Sequence, residues 1–152
     1  MKEQSSHLPL TSPATTSVLE GFLRVRGARA EIVARREAPT DGVLVKSLVW
    51  EADGVPLLLV LALDRVVDKA KLSRHLGVAE AAVGLVERDR AVALAGHQIG
   101  TIPPCGLLSP LRTVVDAALA PAAGDEVLYG GAGSPALQVR VPGWRVRRTA
   151  TP

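Results

Sequence analysis

The sequence predicts a single α/β domain of the α+β kind, built on a mixed, mostly antiparallel sheet with flanking helices. Three observations carry that expectation. The chain has 152 residues, the length of one domain, and a chain of this size can bury roughly 68–70% of its unfolded surface around one core. Strand-like and helix-like stretches follow one another without a repeating strand–helix–strand unit, which argues against a doubly wound parallel sheet. Asp53-Gly54 is a hairpin signal between two apolar runs, Val43–Trp50 and Val55–Leu63, which should pair antiparallel.

Taken in order, residues 1–14 mix Ser, Thr, Pro and His without periodicity and read as a flexible leader. The domain is expected over 15–142. Ser17-Val18-Leu19-Glu20 is a capping-box pattern, and Val18, Leu19, Phe22 and Leu23 recur at helical spacing until Gly27, so a helix is predicted over 17–27. Ala30–Arg35 reads as a short strand, and Pro39-Thr40-Asp41-Gly42 is turn chemistry leading into Val43–Trp50. Asp68 can cap a helix in which Leu72 and Leu76 share a face and Gly77 is the stop. Ala81–Val86 is expected to be a strand and Glu87–Ala95 a helix ending at Gly96. Further strands are expected at Arg112–Val115, Glu126–Tyr129 and Ala136–Val141, with a helical turn at Asp116–Ala120. Residues 143–152, with Arg145, Arg147 and Arg148, read as a basic tail in solvent.

Within this pattern Lys46 is an anomaly. It sits in the middle of Val43-Leu44-Val45-Lys46-Ser47-Leu48-Val49-Trp50, and a lysine is almost never fully buried unless something pairs with it. From these residues alone, an edge lysine that discourages aggregation, or one turned to water by strand alternation, is the plainer reading.

Composition narrows the chemistry. Cys105 is the one cysteine, which excludes an intrachain disulfide and a zinc or iron–sulfur site built on cysteines of this chain, and suits a reducing cytoplasm. No apolar run approaches the roughly 18 residues of a membrane span, so neither a membrane partner nor an anchor is expected. The formal net charge of +3 permits RNA without demanding it. With only Phe22, Trp50, Tyr129 and Trp144 as aromatics, extensive base-stacking platforms are not expected.

Two glycine-rich stretches stand out, Gly100-Thr101-Ile102-Pro103-Pro104-Cys105-Gly106 and Gly130-Gly131-Ala132-Gly133-Ser134. Glycine permits close backbone approach and leaves amides free to face a ligand oxygen, and the proline pair fixes the first loop's shape; each loop is equally readable as a tight connection. Neither is a Walker A loop or a dinucleotide fingerprint, so no such cofactor is called for. His97 precedes the first loop and has no second histidine at metal-ligand spacing, which leaves no metal site to propose. No nucleophile–base triad is legible around Cys105. The cysteine is expected to line a pocket.

The succession Val45-Lys46-Ser47-Leu48-Val49, Pro56–Leu63, Asp68-Lys69-Ala70-Lys71-Leu72, Leu94-Ala95-Gly96-His97 and the two glycine loops, over residues 16–141, resembles the YbaK/prolyl-tRNA-synthetase-associated editing domains. These are free-standing proteins or insertions that hydrolyse wrongly charged tRNA. The resemblance implies a barrel-like sheet and a cytoplasmic trans-editing deacylase that cleaves the ester of mischarged tRNA carrying a small amino acid such as Ala, Cys, Ser or Thr. Its partners would be the tRNA acceptor end and an aminoacyl-tRNA synthetase, and no cofactor would be required. Lys46 then becomes the catalytic lysine, turned into a pocket walled by the two loops, with its ammonium on a carbonyl or ribose oxygen of the substrate. Ser47, Gly100, Thr101, Ile102, Pro103, Pro104, Cys105, Gly131, Gly133 and Ser134 are the expected substrate-binding residues. The chain departs from the family pattern at Cys105, where an aromatic residue is common, and at Glu87-Arg88, where a Thr-Pro helix start is usual. A C-terminal helix is not legible past Pro142-Gly143. Because fold does not fix function, a non-catalytic tRNA- or synthetase-binding module, or a small-molecule hydrolase or binder, would suit the same pocket.

Overall fold

The computed structural model describes residues 31–35, 39–119 and 127–142. The expected leader at 1–14, helix at 17–27 and tail at 143–152 lie outside them. The strands are β1 (Glu31–Ala34), β2 (Val43–Ala52), β3 (Val55–Ala62), β4 (Val83–Leu85), β5 (Arg112–Val115), β6 (Val127–Gly131) and β7 (Leu137–Pro142), with helices α1 (Lys69–Leu76) and α2 (Arg88–Ala95). They form a sheet of seven strands in the order β1-β7-β6-β2-β3-β5, with β4 paired to β2 off that path. β2–β6 and β3–β5 are parallel, and the other four pairings are antiparallel. The sheet is therefore mixed and mostly antiparallel, as predicted, and the described residues add two short α-helices to it.

The β2–β3 hairpin is its centre. Ala52 pairs with Val55 across Asp53 and Gly54, whose φ values of 50° and 77° give the two-residue turn the left-handed backbone it needs. Alternation then sends β2 side chains to two cores. Val45 and Val49 join Leu58, Val60, Val86, Ala91, Ala95, Ile102, Leu128 and Val141 on one face. Leu48 and Trp50 pack on the other with Leu57, Leu59, Leu61, Leu72 and Val83. β3 is buried on both faces, which is why it reads as an unbroken apolar run.

Local signals placed the helices well. The Asp68 side chain accepts from the Lys71 amide and Gly77 closes α1 at φ 72°. In α2 the Glu87 carboxylate accepts from the Asp89 amide and Gly96 closes the helix at φ 76°. The strand expected over Ala81–Val86 is shorter, because Glu80–Ala82 is a 3-10 turn and β4 has three residues, matching its three pairings to the end of β2. Gly130 and Gly131, expected as loop, belong to β6 and pair with Val139 and Gln138, which confines the connection to β7 to residues 132–136. The helical turn after β5 is a 3-10 turn, Ala117–Leu119, capped where the Asp116 carboxylate accepts from the Ala118 amide.

A polar clasp ties the sheet's β6–β7 end to the loop that leads into β2. The buried Tyr129 hydroxyl donates to Asp41 Oδ1 (2.7 Å) and accepts from Arg140 Nε (3.1 Å), while Arg140 Nη2 reaches Asp41 Oδ2 (3.0 Å). The Tyr129 hydroxyl and then the Arg140 guanidinium hold the Asp41 carboxyl below its ordinary pKa. Tyr129→Phe should lower stability by about 1 kcal/mol, the usual net contribution of such bonding, read as a lower urea midpoint with an unchanged slope.

Candidate functional site

Leu44's carbonyl accepts from the Leu63 amide, so even-numbered β2 residues direct their main-chain groups at β3 and odd-numbered ones at the opposite edge. Two strands share that opposite edge. β6 pairs only at Val43 and Leu44, and β4 only from Trp50 to Ala52. Between them the Val49 carbonyl is taken by the Val86 amide, and around Ser47 no described strand ladders with the edge; a cavity of about 620 Å³ lies against it, within the usual range for small-molecule sites. Val45, Lys46, Ser47, Leu48 and Val49 all line the cavity. Consecutive residues of both parities do so because the strand presents its edge to the cavity.

Gly100 and Ile102 contribute from the first glycine loop, and Gly130, Gly131 and Ser134 from the second. The two loops interlock through main chain. The Gly133 amide donates to the Thr101 carbonyl (2.9 Å), and a Cβ at Gly131 would lie 2.5 Å from the Thr101 carbonyl carbon and oxygen. A Cβ at Gly130 would lie 2.8 Å from Pro104 Cδ. These glycines thus serve close approach of one loop to the other, the packing reading of the motif.

Of the expected site residues, Lys46, Ser47, Gly100, Ile102, Gly131 and Ser134 line the cavity. Thr101, Pro103, Pro104, Cys105 and Gly133 do not; all are buried in the wall behind it. Thr101 bonds back to the Gln98 carbonyl, and Cys105 packs with Ala132 and Val139 rather than lining the pocket. Ser47 is 8% exposed, and its hydroxyl is sealed from solvent without a described hydrogen-bond partner. The hydroxyl expected to face the substrate is thus enclosed beside the core containing Val45 and Val49.

The charges around the cavity are of one sign. Arg35, Lys46 and Arg88 line it, and no carboxylate does among the described residues. Lys46 is half-buried and makes no ion pair with a described residue. Arg35 and Arg88 were not singled out from the sequence, although Arg88 opens α2 beside the Val86 segment that bonds to Val49. The exposed apolar side chains Leu63, Leu85 and Ile99 complete the lining. The floor is mainly aliphatic, and Tyr129, held by its clasp, is its aromatic member.

His97 is 1% exposed and lies outside the cavity lining, with no described partner for either ring nitrogen. Burial pushes its pKa below the ordinary histidine value, and the Gly106 main chain offsets part of that. Among the described residues no group of His, Cys, Asp and Glu is arranged to hold a metal ion, and no helix is long and apolar enough to cross a membrane.

Comparison with known proteins bears on this geometry. The family model of the aminoacyl-tRNA editing domain matches residues 27–149. Proline–tRNA ligases from Citrifermentans bemidjiense and from a Geobacter species are each 36% identical over 76 residues, 50% of this chain and 13% of theirs. The chain therefore spans only a small part of those relatives. A solved structure described as a candidate trans-editing enzyme for prolyl tRNA synthetase superposes with a TM-score of 0.75 at 22% identity, covering 92% of this chain and 94% of that one.

Two outcomes follow from the wall. Gly131→Ala should destabilise the protein by about 1–3 kcal/mol, since the new Cβ meets main chain that cannot swing aside, whereas Gly84→Ala, with nothing within 4 Å, should stay within about 0.5 kcal/mol of wild type; denaturant midpoints distinguish them. For His97, the folded-state pKa lies below the ordinary 6.5, so between the two values the unfolded chain binds more protons and stability rises with pH. Stability should fall as pH drops through about 6.5, and His97→Leu should flatten that dependence in melts from pH 7.5 to 5.5.

Proposed function

The chain belongs to the aminoacyl-tRNA editing domain family, and from that membership and the cavity beside β2 we propose that it is a trans-editing deacylase acting on mischarged tRNA. Water cleaves the ester between a small amino acid, of the Ala, Cys, Ser or Thr class, and the terminal ribose. The products are the free amino acid and a tRNA with its hydroxyl restored.

The observation that carries this reading is Lys46. The residue is half-buried and lines a cavity whose charged lining residues are all cations among the described residues. Such a site suits an anionic, phosphate-bearing ligand and the negative charge that develops on an ester oxygen during hydrolysis, where a preorganised cation acts most strongly. Arg35 and Arg88 suit the phosphates of the acceptor end, since guanidinium is a good phosphate partner. The aliphatic floor formed in part by Val45, Val49, Ala91 and Ile102 suits a small side chain. Water supplies the attack and the substrate's own ribose hydroxyl can serve as the base, so no protein nucleophile is required. The related segment in proline–tRNA ligases and the trans-editing description of the superposed structure support a synthetase as a further partner, and tRNA as substrate places the activity in the cytoplasm.

The test is deacylation of a panel of mischarged tRNAs. Wild type should hydrolyse a small-residue member, and Lys46→Ala should lower kcat by about a hundredfold or more, the size of effect seen when one charge-stabilising donor is lost. Equal rates would remove Lys46 from the mechanism. Binding without turnover across a complete panel would instead identify a non-catalytic tRNA-binding module. Affinity for the tRNA should also fall as salt rises from about 50 to 200 mM, because phosphate contacts release counterions; a flat response would count against acceptor-stem docking.

A further inference from the structure

We propose, on the basis of the deacylase reading, that the open edge of β2 recognises the aminoacyl group as though it were one residue of a neighbouring strand. Ser47 exchanges two main-chain hydrogen bonds with it. The Ser47 N–H donates to the ester carbonyl oxygen, and the Ser47 carbonyl accepts from the free α-ammonium.

The register assigns this role to Ser47. Odd-numbered residues of β2 direct their N–H and C=O away from β3, as the Val86 amide donating to the Val49 carbonyl shows. Val43 belongs to the β6 ladder, and the β4 ladder begins at Trp50, leaving Ser47 central in the unladdered stretch. Its neighbours on both sides line the cavity. In an antiparallel pair, residues that face one another in hydrogen-bonded register exchange both bonds, and an aminoacyl ester has the required donor and acceptor on either side of its Cα. The side chain is a poor substitute, because the Ser47 hydroxyl is sealed from solvent. A free ammonium also needs acceptors, and no described carboxylate lines the cavity, so acceptance falls to neutral oxygens that the sheet has already oriented.

The gap sets a length limit. β6 closes it at Leu44, and past Ser47 the Val86 amide already takes the Val49 carbonyl, so an acyl group on the nitrogen of a residue paired antiparallel with Ser47 runs into the Val86 segment. The site therefore distinguishes an aminoacyl ester from a peptidyl or N-acylated one. The N–H on the ester carbonyl also sits where negative charge develops, which joins recognition of the free amine to activation of the ester.

The experiment uses the panel member that wild type hydrolyses among alanyl-, cysteinyl-, seryl- and threonyl-tRNA. It is compared with its N-acetylated form and with the same tRNA carrying the matching acid without an amino group. Each change should lower kcat/KM about tenfold or more, as expected for losing a hydrogen bond to a charged group. Equal rates on either altered ester overturn the edge pairing while leaving the deacylase activity in place. If no panel member is hydrolysed, the deacylase reading fails and this inference falls with it.

Discussion

The structure depends on a division of labour along one strand. β2 is held along one edge by β3, in a continuous antiparallel ladder from Val45 to Ala52, while its other edge is shared between β6 at the start and β4 at the end. The parallel β6 and the antiparallel β4 do not meet. Between them β3 fixes the strand's register and both of its faces are packed, yet among the described residues no strand ladders with it there. A sheet edge with free main-chain groups is a hazard on a protein's surface. Here it is withdrawn into a cavity, where it becomes a preorganised wall.

Everything else around the cavity keeps that gap open. The glycine loops stand as a double wall because their main chains touch, through the Gly133–Thr101 hydrogen bond and the close pass of Gly131. The proline pair is buried within it. Tyr129 is fixed from the outside by Asp41 and Arg140, so the aromatic ring on the floor is anchored to the loop that leads into β2. α2 brings Ala91 to the cavity and contributes Ala91 and Ala95 to the core, both small side chains that let the helix lie close to the sheet. A lysine in an apolar strand is costly in a packed core but less so at a cavity wall, where Lys46 is half-buried.

The features legible in the sequence were those with local causes. Asp53-Gly54 specified the hairpin and its pairing because a two-residue turn of that type requires positive φ. Asp68 and Gly77 bounded α1, and Gly96 ended α2, because capping is decided within a few residues. The two apolar runs flanking that turn reported a pair of buried strands. The errors have the same origin. Gly130 and Gly131 look like loop by composition but lie in β6, because β7 pairs with them, and Ala81–Val86 looks like one strand although β2 has room for three β4 pairings.

The sequence by itself determined the family, the mixed sheet and the place of Lys46 in a strand that precedes two glycine-rich stretches, since those are matters of residue type, order and spacing. Only the tertiary structure decided what the surroundings of that lysine are. It brought Arg35 and Arg88 to the same cavity from distant elements, withdrew Thr101, Pro103, Pro104, Cys105 and Gly133 into the wall, and enclosed the Ser47 hydroxyl. The physical reason is that a strand's pairing partners on its two edges come from remote parts of the chain. Whether an edge is covered or left open is settled by where β4 and β6 begin and end, and no local pattern in β2 records it.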